Sequence, residues 1–567
     1  MKRFTSLMLT LLLPLMIISE KSIACTNFLI TKGATKDGST MISYSADSHV
    51  LYGELYYWPA MKYKAGTMLD VYEWDTGKYM GKIEQAAVTY SVVGNMNEHQ
   101  LAIGETTYTG REETVNPDAI IDYGSLIYIS LQRAKNAREA IYTMVKLTEK
   151  YGYASTGESF SISDPNEVWI MDLIAKGPGK KGMAFVARRI PDGYISGHAN
   201  QARISTFPLA NGTTSIKASE IDKIYNPEVE TVYADDVIDV ARGFGWYEGT
   251  DADFSFCDAY APITFGGARF CEARVWSGFN QVNSSMGKYL DYAEGHNLSN
   301  RMPLWIKPDR LLTVDDVKSL MRDYYQNTPL DMTKDIGAGP YQCTVRWRPM
   351  TWSVDGVGYV HERATSTQQT GFSFVAQSRS WLPDPVGGIF WFGVDDTFYT
   401  VYTPMYCGMT AVPHSFAVGN GDIMTYSATS GFWTFNEVTN FVYTRANVMT
   451  PDLQAKQKEL EQKYMTDITE VDKTAEALYK KSPKKALAYL TDYSVKAGDY
   501  TVSQWRELYK SLFTKYMDGN VKTPNGPKAG YKYVMPSLSQ PGYPEEWYRK
   551  IVEDAGEKLK APAGAGH

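Results

Sequence analysis

The first cysteine of the chain follows directly after a segment with the layout of a secretory signal. Two basic residues open this segment, residues 7–18 are almost all apolar, and residues 22–24 have the small-x-small pattern that a signal peptidase reads. Cleavage after Ala24 would make Cys25 the first residue of the folded chain. We therefore predict that residues 1–24 are a signal peptide and that the mature protein is exported, either to a periplasm or out of the cell.

An N-terminal cysteine would carry both a nucleophile and a base. An α-amine titrates at about 7.7–8.0 and a thiol at about 8.5, so a neutral amine can take the thiol proton near neutral pH. Two other interpretations of Cys25 stay open. Cys25 could be acylated as a lipoprotein anchor, although that motif prefers Leu where this chain has Ser22. It could also be a buried or disulfide-bonded cysteine without chemistry.

Composition excludes several classes of function. The net charge of −7 argues against a nucleic-acid partner, because phosphate binding normally needs a basic patch. No second apolar run approaches the roughly 20 residues that a membrane-spanning helix needs. The chain has no CxxC or HExxH motif, so we predict neither a metal site nor a cofactor. The mature length is too great for one ordinary core and suggests two structural units.

The five cysteines and seven histidines are scattered along the chain. An odd number of cysteines in an exported protein indicates one free thiol, for which Cys25 is the natural candidate. The other four could form two disulfides, with Cys257–Cys271 as one suggestion and Cys343 and Cys407 remaining. A Cys–His enzyme would have to draw its base from a distant segment. His198 and His361 lie in informative segments, and both are expected to be structural.

Residues 25–425 read mostly as strands and hairpins, interrupted by amphipathic helices. Turn signals separate 86–93 from 101–108, 160–163 from 168–173, and 183–190 from 194–197. Apolar spacing predicts one helix over 123–151, and Thr313 with Asp316 form a capping-box signal before another. Strands with helices packed outside them indicate an α+β layered domain.

The C-terminal part has a different amino-acid composition. Residues 451–518 are rich in Ala, Lys, Glu, Gln and Leu, with Pro483 between two helical stretches and a further helix predicted at 503–517. We divide the chain into a signal at 1–24, a catalytic domain at 25–450, and a C-terminal helical segment and tail at 451–567. This last segment is expected to brace the domain before it.

Several blocks of sequence follow one another in a specific order over roughly residues 25–430. The blocks are Cys25-Thr26-Asn27, Thr35-Lys36-Asp37-Gly38-Ser39, Asp47-Ser48, Met96-Asn97-Glu98, Gly104-Glu105-Thr106-Thr107, residues 198–204, Arg274-Val275-Trp276, residues 370–375, residues 391–396 and Tyr402-Thr403-Pro404. No single block would be enough, but in this order and number they resemble the dipeptidase A family of N-terminal-nucleophile (Ntn) hydrolases.

The resemblance implies a four-layer αββα sandwich in which the N-terminal strand delivers Cys25 into a cleft between two sheets. It implies hydrolysis of amide bonds in small peptides, mainly dipeptides. The sequence leaves the number of subunits open, with a homo-oligomer as one alternative. Relatives in the wider superfamily act on penicillin V and conjugated bile acids. In those relatives an Asp, an Asn and an Arg complete the site, and Asp47, Asn200 and Arg274 fit these positions. The acylase relatives have an Arg where this chain has Tyr44.

The chemistry of amide hydrolysis suggests a role for each residue. A thiolate attack creates an oxyanion that needs donors, which the Asn200 amide and a backbone N–H near Thr106 or Thr107 could supply. Asp47 could hold the Cys25 amine or a substrate amine, and an arginine could fix Asp47 or a substrate carboxylate. The alternatives are a helix cap for Asp47, a turn residue for Asn200 and a solvated charge for Arg274.

The sequence thus predicts an exported cysteine dipeptidase that works through an acyl-enzyme. One alternative is an N-acyl amidase of the penicillin V or bile-salt type. Another, from a different class, is a lipid-anchored surface binding protein in which Cys25 is acylated.

Overall fold

The computed structural model describes residues 25–108 and 110–564. The signal peptide predicted at 1–24 lies outside these residues. The described chain is a mixed α+β protein with 37% helix and 21% strand, and it ends in a helical region. This confirms the α+β class and the C-terminal helical segment.

One of the two main sheets contains the N-terminal strand Asn27–Ile30. This sheet has seven strands, and every neighbouring pair in it is antiparallel. Across the sheet the order is Trp305–Ile306, Ile195–His198, Asn27–Ile30, Thr40–Asp47, Thr370–Ser378, Ile389–Val394 and Thr403–Tyr406. Cys25 therefore lies two residues before an interior strand that is paired on both sides.

The second main sheet has nine strands. Its order is Ser215–Lys217, Thr231–Tyr233, Ala184–Arg189, Val168–Ile174, Gly157–Ser163, Ala102–Tyr108, Met96–Asn97, Val92–Val93 and Tyr57–Trp58. Four two-stranded ribbons complete the named strands of the described chain: Met61–Lys62 with Val88–Thr89, Met68–Tyr72 with Tyr79–Glu84, Thr351–Val354 with Val357–Val360, and Val521–Thr523 with Ser537–Ser539.

Helices pack against both sheets. The α-helices of the described chain are Tyr123–Arg133, Ala137–Tyr151, Val237–Gly243, Phe256–Tyr260, Ala273–Val282, Leu290–Ala293, Val314–Met321, Asp384–Gly387, Gly431–Tyr443, Ala446–Lys481, Pro483–Tyr516 and Glu545–Ala555. A π-helical turn, Gly267–Glu272, precedes one of them. Short 3₁₀ turns are Lys32–Ala34, Glu112–Thr114, Ala218–Tyr225, Asp251–Asp253, Ser284–Tyr289, Ile336–Ala338, His414–Phe416, Met517–Gly519 and Gly556–Leu559.

The two main sheets contact each other through their central strands. His198, on the seven-stranded sheet, makes 2.7 Å hydrogen bonds with Thr106 and Ser161 of the nine-stranded sheet. Both hydroxyls and the imidazole are buried, so this bridge satisfies polar groups that would otherwise be unpaired between the sheets. The bridge fixes the spacing of the sheets beside Cys25.

Two local expectations differ from the structure. The single helix predicted over 123–151 is wrong, because the Asn136 side chain accepts a hydrogen bond from the Glu139 N–H and caps a new helix. The hairpin predicted over 183–197 is also wrong. Its turn connects strand Ala184–Arg189 of one sheet to strand Ile195–His198 of the other. The predicted capping box at Thr313 and Asp316 is confirmed.

The long C-terminal helices cover the edge of the seven-stranded sheet. Helix Pro483–Tyr516 begins at the predicted proline and is continuous, so the separate helix expected at 503–517 is wrong. Ser494 accepts the Tyr406 N–H at 3.1 Å, and Glu461 accepts the Tyr402 N–H at 2.9 Å. Side chains of the helices therefore satisfy donors at the sheet edge that would otherwise be open to another strand.

All five cysteines lie within the described residues and all are free. The suggested disulfide between Cys257 and Cys271 is therefore absent. Cys257 instead accepts a hydrogen bond from Arg301 at 3.1 Å, and the Cys407 thiol donates to the Asp384 carbonyl at 3.2 Å.

Candidate active site

Cys25 lies at a cavity of about 700 Å³. The cavity combines aromatic side chains with several carboxyl groups. Its lining residues are Cys25, Tyr44, Ala46, Asp47, Ser48, His49, Val50, Leu51, Tyr52, Glu54, Tyr56, Trp74, Asp75, Thr76, Asn95, Glu105, Tyr123, Gly124, Ile127, Tyr128 and Phe372. A cavity of this volume can hold a small ligand, up to the size of a short peptide.

The backbone of Cys25 is held at both ends. Its nitrogen donates to Asn200 Oδ1 at 2.8 Å, and its carbonyl oxygen accepts from Arg274 Nη1 at 2.5 Å. Cys25 is only 1% exposed. These two contacts involve only the main chain of Cys25, and Cys25 is one of the residues that line the cavity.

Arg274 and Asn200 form one unit with Cys25. Arg274 donates to Asn200 Oδ1 at 2.9 Å and to Thr26 Oγ1 at 2.9 Å. Arg274 is 1% exposed and belongs to helix Ala273–Val282, which continues the π-helical turn before it. The structure thus places Arg274 on the Cys25 backbone, as a buried clamp rather than a solvated charge.

The Asn200 side chain is oriented differently from the sequence expectation. Its oxygen faces the Cys25 nitrogen, and its amide nitrogen donates to the Thr107 carbonyl at 2.5 Å. One of its two amide hydrogens is therefore already used. Asn200 also has a φ of 57°, a left-handed conformation that Asn tolerates better than most residues.

Asp47 is buried against a different arginine from the one expected. Arg363 pairs with Asp47 Oδ2 at 2.7 Å, and Thr370 donates to Asp47 Oδ1 at 2.7 Å. Sequence reasoning did not identify Arg363, because it lies 316 positions from Asp47 and belongs to no recognisable motif. Two different arginines therefore contact the two residues: Arg274 binds the Cys25 backbone, and Arg363 pairs with the Asp47 carboxylate.

Thr106 and Thr107 are close to the site but do not line the cavity. The Thr106 hydroxyl is bonded to His198, and the Thr107 hydroxyl donates to Glu158 at 3.0 Å. The Thr107 carbonyl supports Asn200, as described above. The side chains of both threonines are thus committed to protein partners.

The thiol of Cys25 is held in its neutral form in the full chain. Burial raises the pKa of Cys25 well above its ordinary value, and the carboxyls of Glu105 and Asp47 raise it further. Tyr44 Oη lies 3.7 Å and Glu105 Oε1 3.8 Å from Sγ. Because only the thiolate is strongly nucleophilic, the site needs a base to remove this proton.

His198 is not placed to be that base. Both of its ring nitrogens are occupied by Thr106 and Ser161, and burial lowers its pKa to about 3. His361 lies away from the cavity lining, where its ring centroid is 5.7 Å from that of Trp352. Neither histidine contacts Cys25.

Glu105 is the second residue that sequence reasoning missed. Tyr44 Oη donates to its Oε1 at 2.5 Å, and burial raises the pKa of Glu105 to about 7. A second buried carboxyl, Glu158, is hydrogen-bonded to it. Glu105 stands in the block Gly104-Glu105-Thr106-Thr107 that carries the family resemblance, which was the available signal.

Among the described residues, no group of three or more His, Cys, Asp or Glu side chains could hold a metal ion. No helix in this part of the chain is both long and apolar enough to cross a membrane.

Comparison with known proteins identifies the family of this chain. The model of peptidase family C69 matches residues 54–459, which is most of the chain. The chain belongs to peptidase family C69. The C69 match includes Asn200, Arg274 and Arg363, and it begins after Cys25 and Asp47.

Curated relatives resemble this C69 member at low identity. A probable dipeptidase of Latilactobacillus sakei is 23% identical over 402 residues, which cover 68% of this chain and 74% of that protein. Dipeptidase A of Lactobacillus helveticus is 23% identical, over 70% of this chain and 77% of its own. A dipeptidase of Bifidobacterium longum is 24% identical, over 55% and 61%.

Proposed function

We propose that this C69 peptidase is an exported dipeptidase whose nucleophile is the thiol of an N-terminal Cys25. The family match and the names of the relatives support a dipeptidase. The observation that carries the cysteine mechanism is the placement of Cys25, with its nitrogen 2.8 Å from Asn200 and its side chain at the cavity. Removal of residues 1–24 would convert that nitrogen into an amine already held beside its own thiol.

The proposed reaction has two steps. First, the α-amine takes the thiol proton and Sγ attacks the peptide carbonyl, forming a C–S bond. The C–N bond then breaks as the α-ammonium returns the proton to the leaving amine. Second, the amine takes a proton from water, hydroxide attacks the thioester, and the C–S bond breaks. The proton returns to the thiol and the free acid leaves.

Asn200 and Arg274 would serve both steps. In the mature form the Asn200 oxygen would accept a hydrogen bond from the amine, while Arg274 holds that oxygen in place. The remaining amide hydrogen of Asn200 is the donor that we assign to the oxyanion. Since a charged amine next to Sγ favours the thiolate, cleavage of the signal would also lower the pKa of Cys25.

We also assign the two contacting sheets and the helices on them to the four-layer αββα arrangement of Ntn hydrolases. The N-terminal strand Asn27–Ile30 lies inside one of these sheets, with Cys25 just ahead of it. This position suits a nucleophile at a new N-terminus, because the strand behind it is paired on both sides.

The test combines an N-terminal mass with activity. Protein purified from the exported fraction should begin at an unmodified Cys25 and hydrolyse dipeptides. Cys25→Ala should abolish hydrolysis, whereas Cys343→Ala, which removes a free thiol outside the cavity, should not. A diacylated Cys25 would instead indicate a lipid anchor. Full activity in Cys25→Ala would exclude the mechanism.

A further inference from the structure

Acidic side chains predominate over basic ones at the cavity. Among the described residues that line it, Asp47, Glu54, Asp75 and Glu105 are acidic, His49 is the one imidazole, and there is no Lys or Arg. The charge of Asp47 is balanced by Arg363. Glu105 is 2% exposed and has no such partner among the residues that line the cavity.

Glu105 and Glu158 are neighbouring buried carboxyls, and burial raises the pKa of both. Glu158 Oε1 accepts from Thr107, and Glu105 Oε1 accepts from Tyr44. The Oε2 atom of each is buried without an N–H or hydroxyl donor. Two adjacent buried carboxyls cannot both be ionised, so one keeps a proton and donates it to the other. The pair then carries one negative charge, which Tyr44 stabilises on Glu105.

We propose that Glu105 binds the free α-ammonium of the substrate, so that this site accepts peptides with an unblocked N-terminus. The inference rests on the proposed function, since it assigns the substrate's amine end to the cavity that Cys25 serves. An unpaired buried negative charge is costly, and a substrate ammonium would supply the missing counter-charge.

The distances fit an amino acid attached to Sγ. In an amino acid the amine nitrogen lies about 2.5 Å from the carbonyl carbon. Glu105 Oε1 is 3.8 Å from Sγ, so an ammonium can hydrogen-bond to this oxygen while the adjacent carbonyl is attacked by the thiol.

The aromatic wall strengthens this recognition. Trp74 packs against Tyr56 at 4.9 Å and against Tyr128 at 4.5 Å between ring centroids. All three rings line the cavity together with Glu105. An apolar wall reduces screening by water, so a charge pair formed inside it is stronger than one on the surface.

The first test compares three substrates with the wild-type enzyme. They are Leu-Leu, N-acetyl-Leu-Leu, and 4-methylpentanoyl-Leu, which lacks only the α-amine. We expect kcat/KM to be highest for Leu-Leu and at least about 10–100-fold lower for the other two, the range for a hydrogen bond between charged groups. Equal kcat/KM for Leu-Leu and 4-methylpentanoyl-Leu would overturn the inference without any variant.

The second test uses Glu105→Gln, which keeps the size and removes the charge. The ratio of kcat/KM for Leu-Leu to that for 4-methylpentanoyl-Leu should fall about 10–100-fold. Glu84→Gln, at an exposed ion pair with Lys150, is the matched control and should keep the wild-type ratio. A folded, active Glu105→Gln enzyme with the wild-type ratio would contradict the assignment.

The two proposals fail in different ways. If Cys25→Ala hydrolyses Leu-Leu as well as wild type, the proposed mechanism is wrong. If hydrolysis depends on Cys25 but the substrate ratio does not depend on Glu105, only the ammonium site is wrong. If Glu105→Gln does not fold, equal kcat/KM values of the wild type for Leu-Leu and 4-methylpentanoyl-Leu would still overturn the ammonium site.

Discussion

The backbone nitrogen of Cys25 donates a 2.8 Å hydrogen bond to the side-chain oxygen of Asn200. Arg274 donates to the same oxygen from another direction and also binds the Cys25 carbonyl. The residue is therefore fixed by its main chain, and its thiol is left at the cavity. This arrangement suits the role of catalytic base that we propose for the nitrogen.

The side chain of Asn200 can be tested apart from its backbone. Because Asn200 has a φ of 57°, Asn200→Ala would combine loss of the side chain with backbone strain. Asn200→Gly avoids the strain. We expect kcat to fall about 10²–10³-fold in Asn200→Gly, as when an oxyanion donor is removed, with a smaller change in KM. The melting temperature is measured beside kcat and KM. An unchanged kcat per folded molecule would remove Asn200 from the site.

A blocked amine should inactivate the enzyme without unfolding it. Adding one residue before Cys25 converts the proposed base into an amide, which cannot take a proton. An amide nitrogen at Cys25 keeps one N–H, which can still donate to Asn200 Oδ1, so folding should survive. Dipeptide hydrolysis and the far-UV circular dichroism spectrum are compared with those of the mature form. A stable, fully active extended form would show that another group is the base.

The pair of Asp47 and Arg363 should behave as one buried unit. Removing one partner leaves an uncompensated buried charge, so Asp47→Asn is expected to cost about 3–5 kcal/mol of unfolding free energy. Asp47→Asn combined with Arg363→Met should recover part of this loss. Chemical denaturation of both single variants and the double variant gives the coupling energy. Strictly additive effects would show that the pair does not act as a unit.

Glu105 should make stability depend on pH. Its folded pKa of about 7 lies above the ordinary value of 4.5, because burial disfavours the charged form. The folded state then binds the proton more tightly, so the contribution to stability is full below pH 4.5 and is lost as pH rises through 7. Glu105→Gln abolishes this loss. The free energy of unfolding of Glu105→Gln minus that of wild type should therefore increase by about 2–3 kcal/mol from pH 4 to pH 8.

Melting curves of wild type and Glu105→Gln at both pH values test this sign. Glu84→Gln serves again as the control, because its carboxyl is exposed. A difference between Glu105→Gln and wild type that does not change with pH would contradict a raised pKa at Glu105.

The sequence predicted those features that local patterns determine. The α+β class, the strands flanking residues 164–167, the capping box at Thr313 and the helix start at Pro483 all follow from short-range signals. The break between helices at Asn136 was missed, because the apolar spacing continues across the cap. Contacts between distant segments were missed for a different reason: nothing near Asp47 indicates Arg363, and the pairing of Glu105 with Glu158 depends on strand register.

In the proposed mechanism, Cys25 is an N-terminal nucleophile that carries the acyl group. The most direct measurement is mass spectrometry of the N-terminal peptide after mature enzyme turning over Leu-Leu is quenched in acid. Acid keeps the amine protonated, so the acyl group cannot migrate from sulfur to nitrogen. We predict a peptide that starts at Cys25, with leucyl on its thiol that hydroxylamine removes, and no adduct in Cys25→Ala. Active enzyme that retains residues before Cys25, or that carries the leucyl group on another residue, would contradict the account.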